Sequence, residues 1–126
     1  MKISVIGLGF VGLTLAAVNA KKGFDTIGID INLKKLEKNK NGLSDFYEPK
    51  LEKLLKDAIN KKKIIFTNDF NEILKTNITF ITVGTPTTSN GKINLRYIEN
   101  VISSLSKQLN FKRVTKHPEI EKLIKK

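Results

Sequence analysis

Short runs of β-branched and aliphatic residues along the chain alternate with longer segments in which apolar residues recur every three or four positions. The runs predict strands buried on both faces, at 2–6, 24–29, 64–66 and 78–83. The longer segments predict helices at 10–22, 32–40, 49–59, 68–74 and 94–109. This order favours an α/β fold with a Rossmann-like, doubly wound parallel sheet, incomplete at about four strands in the order 3-2-1-4.

Capping and turn residues indicate where these helices start and stop. Gly23 stands where a glycine commonly ends a helix in the left-handed conformation. Asn32, Asn68 and Asn94 are each placed to cap the start of a helix. Pro49 suits the first position of a helix, where its missing N–H group has no intrahelical partner to lose.

Length and hydropathy limit the domain organisation. The chain has 126 residues, of which 40% are hydrophobic, enough for one domain with a single core. We expect this domain at 1–109 and a basic tail at 110–126, whose end, 118–126, can form a short helix. No apolar run approaches the roughly 20 residues that a membrane-spanning helix needs, so we expect a cytoplasmic protein.

Cysteine is absent from the sequence. Its absence excludes disulfides, thiolate metal sites and any reaction in which this chain supplies a thiol nucleophile. His117 is the single histidine, and in the tail, before a proline, we interpret it as a solvated residue rather than a catalytic one. The sequence therefore assigns no catalytic and no metal-binding residue.

The net charge of +11, from 23 basic and 12 acidic residues, raises the question of nucleic-acid binding. All the basic residues except Arg96 and Arg113 are lysines, and they lie in scattered groups along the chain. Surfaces that grip phosphates or read bases usually recruit arginine, often with aromatic residues interleaved. Because neither feature is evident, solvated lysine faces are the preferred interpretation, and nucleic acid is not the expected partner.

A glycine-rich segment follows the first predicted strand and opens the first predicted helix. The pattern G-x-G-x-x-G is matched by Gly7, Leu8, Gly9, Phe10, Val11 and Gly12. In this context the first glycine permits a tight turn, the second lets the backbone approach a pyrophosphate, and the third lets the helix pack close to the strand. The amides at the start of the helix can then bind the phosphates.

An acidic residue at the end of the second strand completes the pattern. Asp30 lies 18 residues after Gly12 and can accept hydrogen bonds from an adenosine ribose. Its charge repels a 2′-phosphate, which favours NAD over NADP, although Lys34 and Lys35 could attract that phosphate. The structural alternative is a carboxylate that caps the next helix.

Three separated segments together resemble a known family. The residues 1–13, the motif Phe46-Tyr47-Glu48-Pro49 and the residues 81–87 are similar to the N-terminal NAD-binding domain of the UDP-glucose/GDP-mannose dehydrogenases. The similarity extends from the first residue to about 109. Tyr47-Glu48-Pro49 is more typical of the UDP-glucose 6-dehydrogenase branch, although a plain helix start would also explain it.

The resemblance implies a position for each part of the cofactor. Residues 7–12 would hold the pyrophosphate, Asp30 the adenosine ribose, and Lys35 would lie near the adenosine end. At the end of the fourth strand, the NAD site would be lined by Val83, Gly84, Thr85, Pro86 and Thr87. Without the other motifs, Thr85-Pro86 would be read as an ordinary exit from the strand.

The resemblance also implies an activity that this chain cannot complete alone. Members of the family oxidise a sugar primary alcohol to a carboxylate in two NAD-linked steps, and the second step uses a cysteine thiolate beyond the dinucleotide domain. We expect this chain to bind NAD but to lack the catalytic half. The alternatives are a regulatory dinucleotide-binding module, and a dehydrogenase specific for UDP-N-acetylmannosamine or GDP-mannose.

After Leu109 the sequence departs from the family. The family continues into a fifth strand and a Ser-Thr-Val-Pro turn, whereas 110–126 carries six basic and two acidic residues and no recognisable buried strand. We expect a truncated, frameshifted or split product, in which the strand 78–83 becomes an exposed edge. Self-association, aggregation, or pairing with a separate second half that binds the nucleotide sugar would follow.

Overall fold

A computed structural model describes residues 1–84, 91 and 96–108 of the chain. Its sheet is parallel and consists of β1 (Lys2–Ile6), β2 (Asp25–Ile29), β3 (Ile64–Thr67) and β4 (Ile78–Ile81). The spatial order is β3-β2-β1-β4. The predicted strand order and fold class are confirmed.

The helices are α1 (Phe10–Lys21), α2 (Leu33–Lys40), α3 (Leu51–Asn60), a 3₁₀ helix (Phe70–Lys75) and α4 (Arg96–Gln108). The chain divides into two compact units, one from Met1 to Val83 and the other beginning at Gly84. The sheet and the first three α-helices belong to the first unit. None of the helices described is long and apolar enough to cross a membrane.

The register of the sheet aligns the ends of its strands. Ile6, the last residue of β1, lies opposite Ile29 of β2 and Ile81 of β4. In a parallel sheet the carboxyl ends of neighbouring strands share one edge, where ligands of such folds bind. The segments that follow Ile6, Ile29 and Ile81 therefore leave the sheet side by side.

The core lies between one face of the sheet and helices α1 and α3. Ala16 and Ala17 are fully buried, and their small side chains allow α1 to lie close to the strands. The same cluster of buried side chains contains Val5, Leu8, Leu13, Leu51, Leu55, Ile64 and Phe66. This packing fixes α1 from Leu13 onward relative to β1 and β2.

Several local predictions are confirmed. The side chain of Asn32 accepts a hydrogen bond from the amide of Lys35 at 3.1 Å, as expected of a helix cap. Gly23 has φ +96°, and its amide bonds to the carbonyl oxygen of Ala20 after the last turn of α1. Asn94, the tail and its expected helix lie outside the described residues, as does His117.

Several predicted boundaries were wrong by one or two residues. Helix α3 begins at Leu51 rather than Pro49, because Lys50 has a left-handed backbone with φ 68° that cannot continue a right-handed helix. The 3₁₀ helix is capped by Asp69 rather than Asn68, since the Asp69 carboxylate accepts the amide of Asn71 at 2.9 Å. Strand β4 ends at Ile81, two residues before its predicted end.

Candidate functional site

The loop between β1 and α1 turns at Gly7. This residue has φ +92°, a conformation that residues with a side chain rarely adopt. Its amide donates to the carbonyl oxygen of Ile29 at 2.8 Å, which fastens the turn to the end of β2. A methyl group on Gly7 would also lie 2.8 Å from the carbonyl oxygen of Thr82, so β4 leaves room only for glycine.

The first turn of α1 lies almost on top of this loop. A methyl group on Gly12 would lie 1.7 Å from the carbonyl oxygen of Gly7, far inside van der Waals contact. Only glycine therefore allows α1 to start so close to β1. This is the close approach that the third glycine of the pattern predicts.

The second glycine faces open space. No atom lies within 4 Å of the position that a methyl group on Gly9 would occupy. Gly9 occupies the N-cap position of α1, but no side chain bonds to the helix amides there and the first turn contains no acidic residue. The amides of Phe10, Val11 and Gly12 begin the helix, so they have no intrahelical partner and carry the positive end of its dipole. This corner can receive an anion.

The carboxylate of Asp30 borders the same corner. Its Oδ2 accepts the amide of Leu8 at 2.8 Å, and its Oδ1 accepts the amide of Asn32 at 2.9 Å. Asp30 therefore ties the glycine loop to the start of the next helix, while the cap of that helix is Asn32. Each oxygen accepts one of these bonds and retains a lone pair for a further donor.

Lys35 lies beside this carboxylate. Its Nζ is 3.9 Å from Oδ2 of Asp30, and the two side chains are 20% and 11% exposed. The ammonium group therefore stands at the rim of the corner, close enough to partly offset the carboxylate charge. The structure brings Asp30 and Lys35 together beside the glycine loop, and their contact with an adenosine ribose stays a prediction.

Thr82 was missed by the sequence analysis. Its hydroxyl lies 2.7 Å from the carbonyl oxygen of Gly7 and 3.1 Å from that of Ile6, and it donates its proton to these two acceptors. Thr82 therefore holds the glycine turn against β4. A signal existed in the sequence, since Thr82 lies near the end of the strand predicted at 78–83, which neighbours β1 in the predicted strand order.

Phe46 was noticed only as part of a motif. Its ring lies 5.2 Å from that of Phe10, centroid to centroid, with the planes inclined by 49°. The connection between α2 and α3 therefore contacts the start of α1. No local pattern indicates this contact, because the two rings are brought together by tertiary packing.

The last group of predicted site residues follows β4. Val83 is half-buried, and its nitrogen lies 2.9 Å from the methyl position on Gly7, so it borders the glycine turn. Gly84 is exposed, with open space around its methyl position. The other predicted residues, Thr85, Pro86 and Thr87, lie outside the described part of the chain.

A family model matches nearly the whole chain, including all the site residues described above. The model for the UDP-glucose/GDP-mannose dehydrogenase family, NAD binding domain, matches residues 1–116. The chain belongs to this family. The predicted resemblance is thereby confirmed, and so is NAD as the cofactor of the domain.

The relatives that match the chain include dehydrogenases named for two different substrates. The GDP-mannose 6-dehydrogenase of Pseudomonas savastanoi pv. phaseolicola is 40% identical over 93% of this chain and 27% of the relative. The UDP-glucose 6-dehydrogenase of Bacillus subtilis is 34% identical over 86% of this chain and 24% of the relative. The chain thus spans about a quarter of the length of these curated relatives.

A solved structure shows the same fold. In a crystal structure of a ternary complex of GDP-mannose dehydrogenase from Pseudomonas aeruginosa, the matching part has a TM-score of 0.84 and 36% identity. The match covers 86% of this chain and 25% of that one. This match agrees with the assignment of the chain to the NAD-binding domain of the family.

Proposed function

We propose that the chain binds NAD with the pyrophosphate over Gly9 and the first amides of α1. The observation that carries this proposal is the combination of an uncapped helix start with open space at the methyl position of Gly9. An anion placed there gains hydrogen bonds from backbone N–H groups and the favourable end of the helix dipole. A methyl group at this position would occupy the space that the pyrophosphate needs.

The adenosine ribose would bind at Asp30, with Lys35 beside it. The free lone pairs of the carboxylate can accept the ribose hydroxyls, while the amides of Leu8 and Asn32 hold the carboxylate in place. A 2′-phosphate would meet this negative charge at short range, so NAD is expected to bind better than NADP. Lys35 lies 3.9 Å from Asp30, so part of its charge is already compensated by the carboxylate.

Val83 to Thr87 would line the remainder of the cofactor site. Support comes from Val83, whose nitrogen lies 2.9 Å from the methyl position on Gly7, at the glycine loop. NAD would accept the hydride when bound here. The chain contributes binding and orientation, because no cysteine, and no base assigned from the sequence, is available for the chemistry.

The activity of the whole protein would be oxidation of a nucleotide-linked sugar alcohol to a carboxylate. This inference rests on family membership and on relatives several times longer than the chain. UDP-glucose is the substrate that Tyr47-Glu48-Pro49 favours. GDP-mannose is supported by relatives of that name at 34% to 40% identity, and UDP-N-acetylmannosamine is the third candidate.

Calorimetric titration of the 126-residue chain with NADH, NADPH and ADP-ribose tests the cofactor site. We expect NADH to bind more tightly than NADPH, and ADP-ribose to compete with NADH because it carries the pyrophosphate and adenosine. Tighter binding of NADPH would overturn the role of Asp30. Absence of competition by ADP-ribose would overturn the placement over Gly9.

A turnover assay separates an enzyme part from a regulatory module. The chain is mixed with NAD and each candidate nucleotide sugar while NADH absorbance is followed, with and without a polypeptide supplying the cysteine-containing segment of the relatives. We expect no turnover by the chain alone, and turnover with one sugar after complementation. Tight NAD binding without turnover under any of these conditions would favour the regulatory module.

We also propose that the edge of β4 pairs with a further parallel strand. Ile78, Phe80 and Ile81 are 40%, 38% and 41% exposed, and within the described residues β4 is bonded only to β1. Doubly wound sheets continue with a further strand at this place. The proposed occupant is a segment of the longer protein, of which the relatives have about three times more than the matched part.

A further inference from the structure

Within the connection between α2 and α3, the segment from Leu43 to Phe46 is held by hydrogen bonds. The side-chain amide of the fully buried Asn39 donates to the carbonyl oxygen of Leu43 at 3.0 Å. The amide of Ser44 donates to the Glu52 carboxylate at 3.0 Å, which joins the connection to the first turn of α3. The hydroxyl of Ser44 donates to the carbonyl oxygen of Phe46. These bonds fix the backbone at Phe46.

Phe46 lies at the end of this fixed segment and faces the glycine loop. It is half-buried and packs against the main core, whereas its neighbour Tyr47 is 87% exposed. Its ring contacts the ring of Phe10, and this is the only close ring pair within the described residues. A rigid support therefore touches the first residue of α1.

The position of Phe10 depends on this contact more than the position of a core residue would, because Phe10 is not enclosed by the core. Its side chain is 56% exposed, so much of its surface meets solvent, yet its amide is one of the group proposed to bind the pyrophosphate. Thr82 and Asp30 fasten the loop at Gly7 and Leu8, before the second glycine. Phe46 provides a contact after it.

We propose that Phe46 is a positioning residue for the dinucleotide. It acts through Phe10, holding the first turn of α1 so that its amides converge on the pyrophosphate. This inference rests on the proposed function and extends it to the Phe46-Tyr47-Glu48-Pro49 motif, which that function leaves without a role. In this role Phe46 needs no contact with the cofactor, and adenosine binding at Asp30 should not depend on it.

Titration of Phe46→Ala with two ligands tests this role. Because the ring pair contributes favourable free energy to the position of Phe10, we expect ADP-ribose to bind about 2- to 10-fold more weakly to the variant. The affinity for adenosine should change by less than about 2-fold. Phe46→Tyr keeps the ring and should restore wild-type affinity. Tyr47→Ala removes an adjacent aromatic side chain that is exposed, and should leave both affinities unchanged.

The comparison of ligands separates positioning from folding. Partial unfolding would weaken ADP-ribose and adenosine alike, whereas misplaced helix amides affect only the ligand with a pyrophosphate. Equal weakening of both ligands, or unchanged ADP-ribose binding in folded Phe46→Ala, would overturn the proposal. So would a loss in Tyr47→Ala as large as that in Phe46→Ala.

Amide hydrogen exchange of the ligand-free chain provides a second test, independent of cofactor binding. The amide of Leu13 donates to the carbonyl oxygen of Gly9 at 3.0 Å and closes the first turn of α1. In Phe46→Ala we expect this amide to exchange faster, while the amides of Leu8 and Asn32, held by Asp30, keep their rates. Identical exchange rates in the variant and the wild type would overturn the positioning role. If ADP-ribose fails to bind the wild type while the exchange result holds, the proposed function fails and the contact role stands.

Discussion

The Oδ2 atom of Asp30 accepts a hydrogen bond from the amide of Leu8 at 2.8 Å, and this bond joins the end of β2 to the loop that follows β1. The carboxylate therefore belongs to the architecture of the loop before any ligand arrives. Its charge is held beside an uncapped helix start, and a ribose and a pyrophosphate would bind on either side of the same bond.

Replacing Asp30 by Asn tests the ribose contact: it removes the charge and leaves one acceptor oxygen, which can bond the amide of Leu8 but not also that of Asn32. Hydrogen bonds to charged groups contribute about 1.5 to 3 kcal/mol, so we expect NADH to bind roughly 10- to 100-fold more weakly. The preference for NADH over NADPH should shrink as well. Asp25→Asn changes the exposed carboxylate at the opposite end of β2 and should leave both titrations unaltered.

Two glycines of the loop should separate ligand binding from folding. Gly9 has an ordinary φ of −76° and open space around it, so Gly9→Ala should keep the melting temperature. Its NADH affinity should fall about tenfold or more, equivalent to about 1.4 kcal/mol, because the methyl group blocks the pyrophosphate. Calorimetry and thermal unfolding of the same sample provide the two readings.

Gly12→Ala should lower the stability of the fold, and NADH binding only through that loss. Its methyl group would meet the carbonyl oxygen of Gly7 at 1.7 Å, and forced overpacking of this kind costs about 1 to 3 kcal/mol. We expect a lower free energy of unfolding in urea, with weaker NADH binding as a consequence. A Gly12→Ala chain as stable as the wild type would show that α1 can move away from β1 at little cost.

The hydroxyl of Thr82 should matter for both stability and cofactor binding. Thr82→Val keeps the shape of the side chain but leaves the carbonyl oxygen of Gly7 without this donor, a loss of about 0.5 to 1.5 kcal/mol in unfolding free energy. Thr82→Ser retains the hydroxyl and should remain close to wild type. Urea titration of both variants, with NADH affinity measured in parallel, distinguishes the hydroxyl from the methyl group.

Where the segment of the longer protein proposed to pair with β4 is not supplied, we expect the edge of β4 to pair two copies of the chain, and a charge on β4 tests this. A lysine on an edge strand opposes pairing with another chain, so Phe80→Lys should lower the apparent mass of the chain in light scattering toward its 14.2 kDa monomer. Ile65→Lys places the same charge on β3 at the other edge of the sheet and should not lower it. A wild-type chain that is monomeric at high concentration would contradict pairing between copies.

Local chemistry predicted those parts of the fold that depend on neighbouring residues. The glycine loop, the cap at Asn32 and the end of α1 at Gly23 follow from turn and capping rules, and the alternation of elements implies the strand order. Thr82 could not be assigned in the same way, because its bond to Gly7 spans 75 positions and exists only once β1 and β4 are in register. The Phe46 contact depends likewise on where the α2–α3 connection folds back.

The misplaced start of α3 has a local cause. A proline at 49 predicts the first position of a helix, but the next residue, Lys50, adopts a left-handed backbone and postpones the helix to Leu51. A lysine in this conformation gives no sequence signal, because the left-handed region is typical of glycine and occasionally asparagine or aspartate. The difference between the predicted and observed starts is therefore one of backbone conformation.

Lys50 is also a position where a substitution should stabilise the protein. Left-handed backbone costs a residue with a side chain about 1 to 2 kcal/mol, a cost that glycine avoids at the expense of greater freedom in the unfolded chain. Lys50→Gly should therefore raise the melting temperature, with NADH affinity unchanged. The turn before α3 is thus a place where laboratory selection for heat tolerance could act without altering the residues proposed to hold the cofactor.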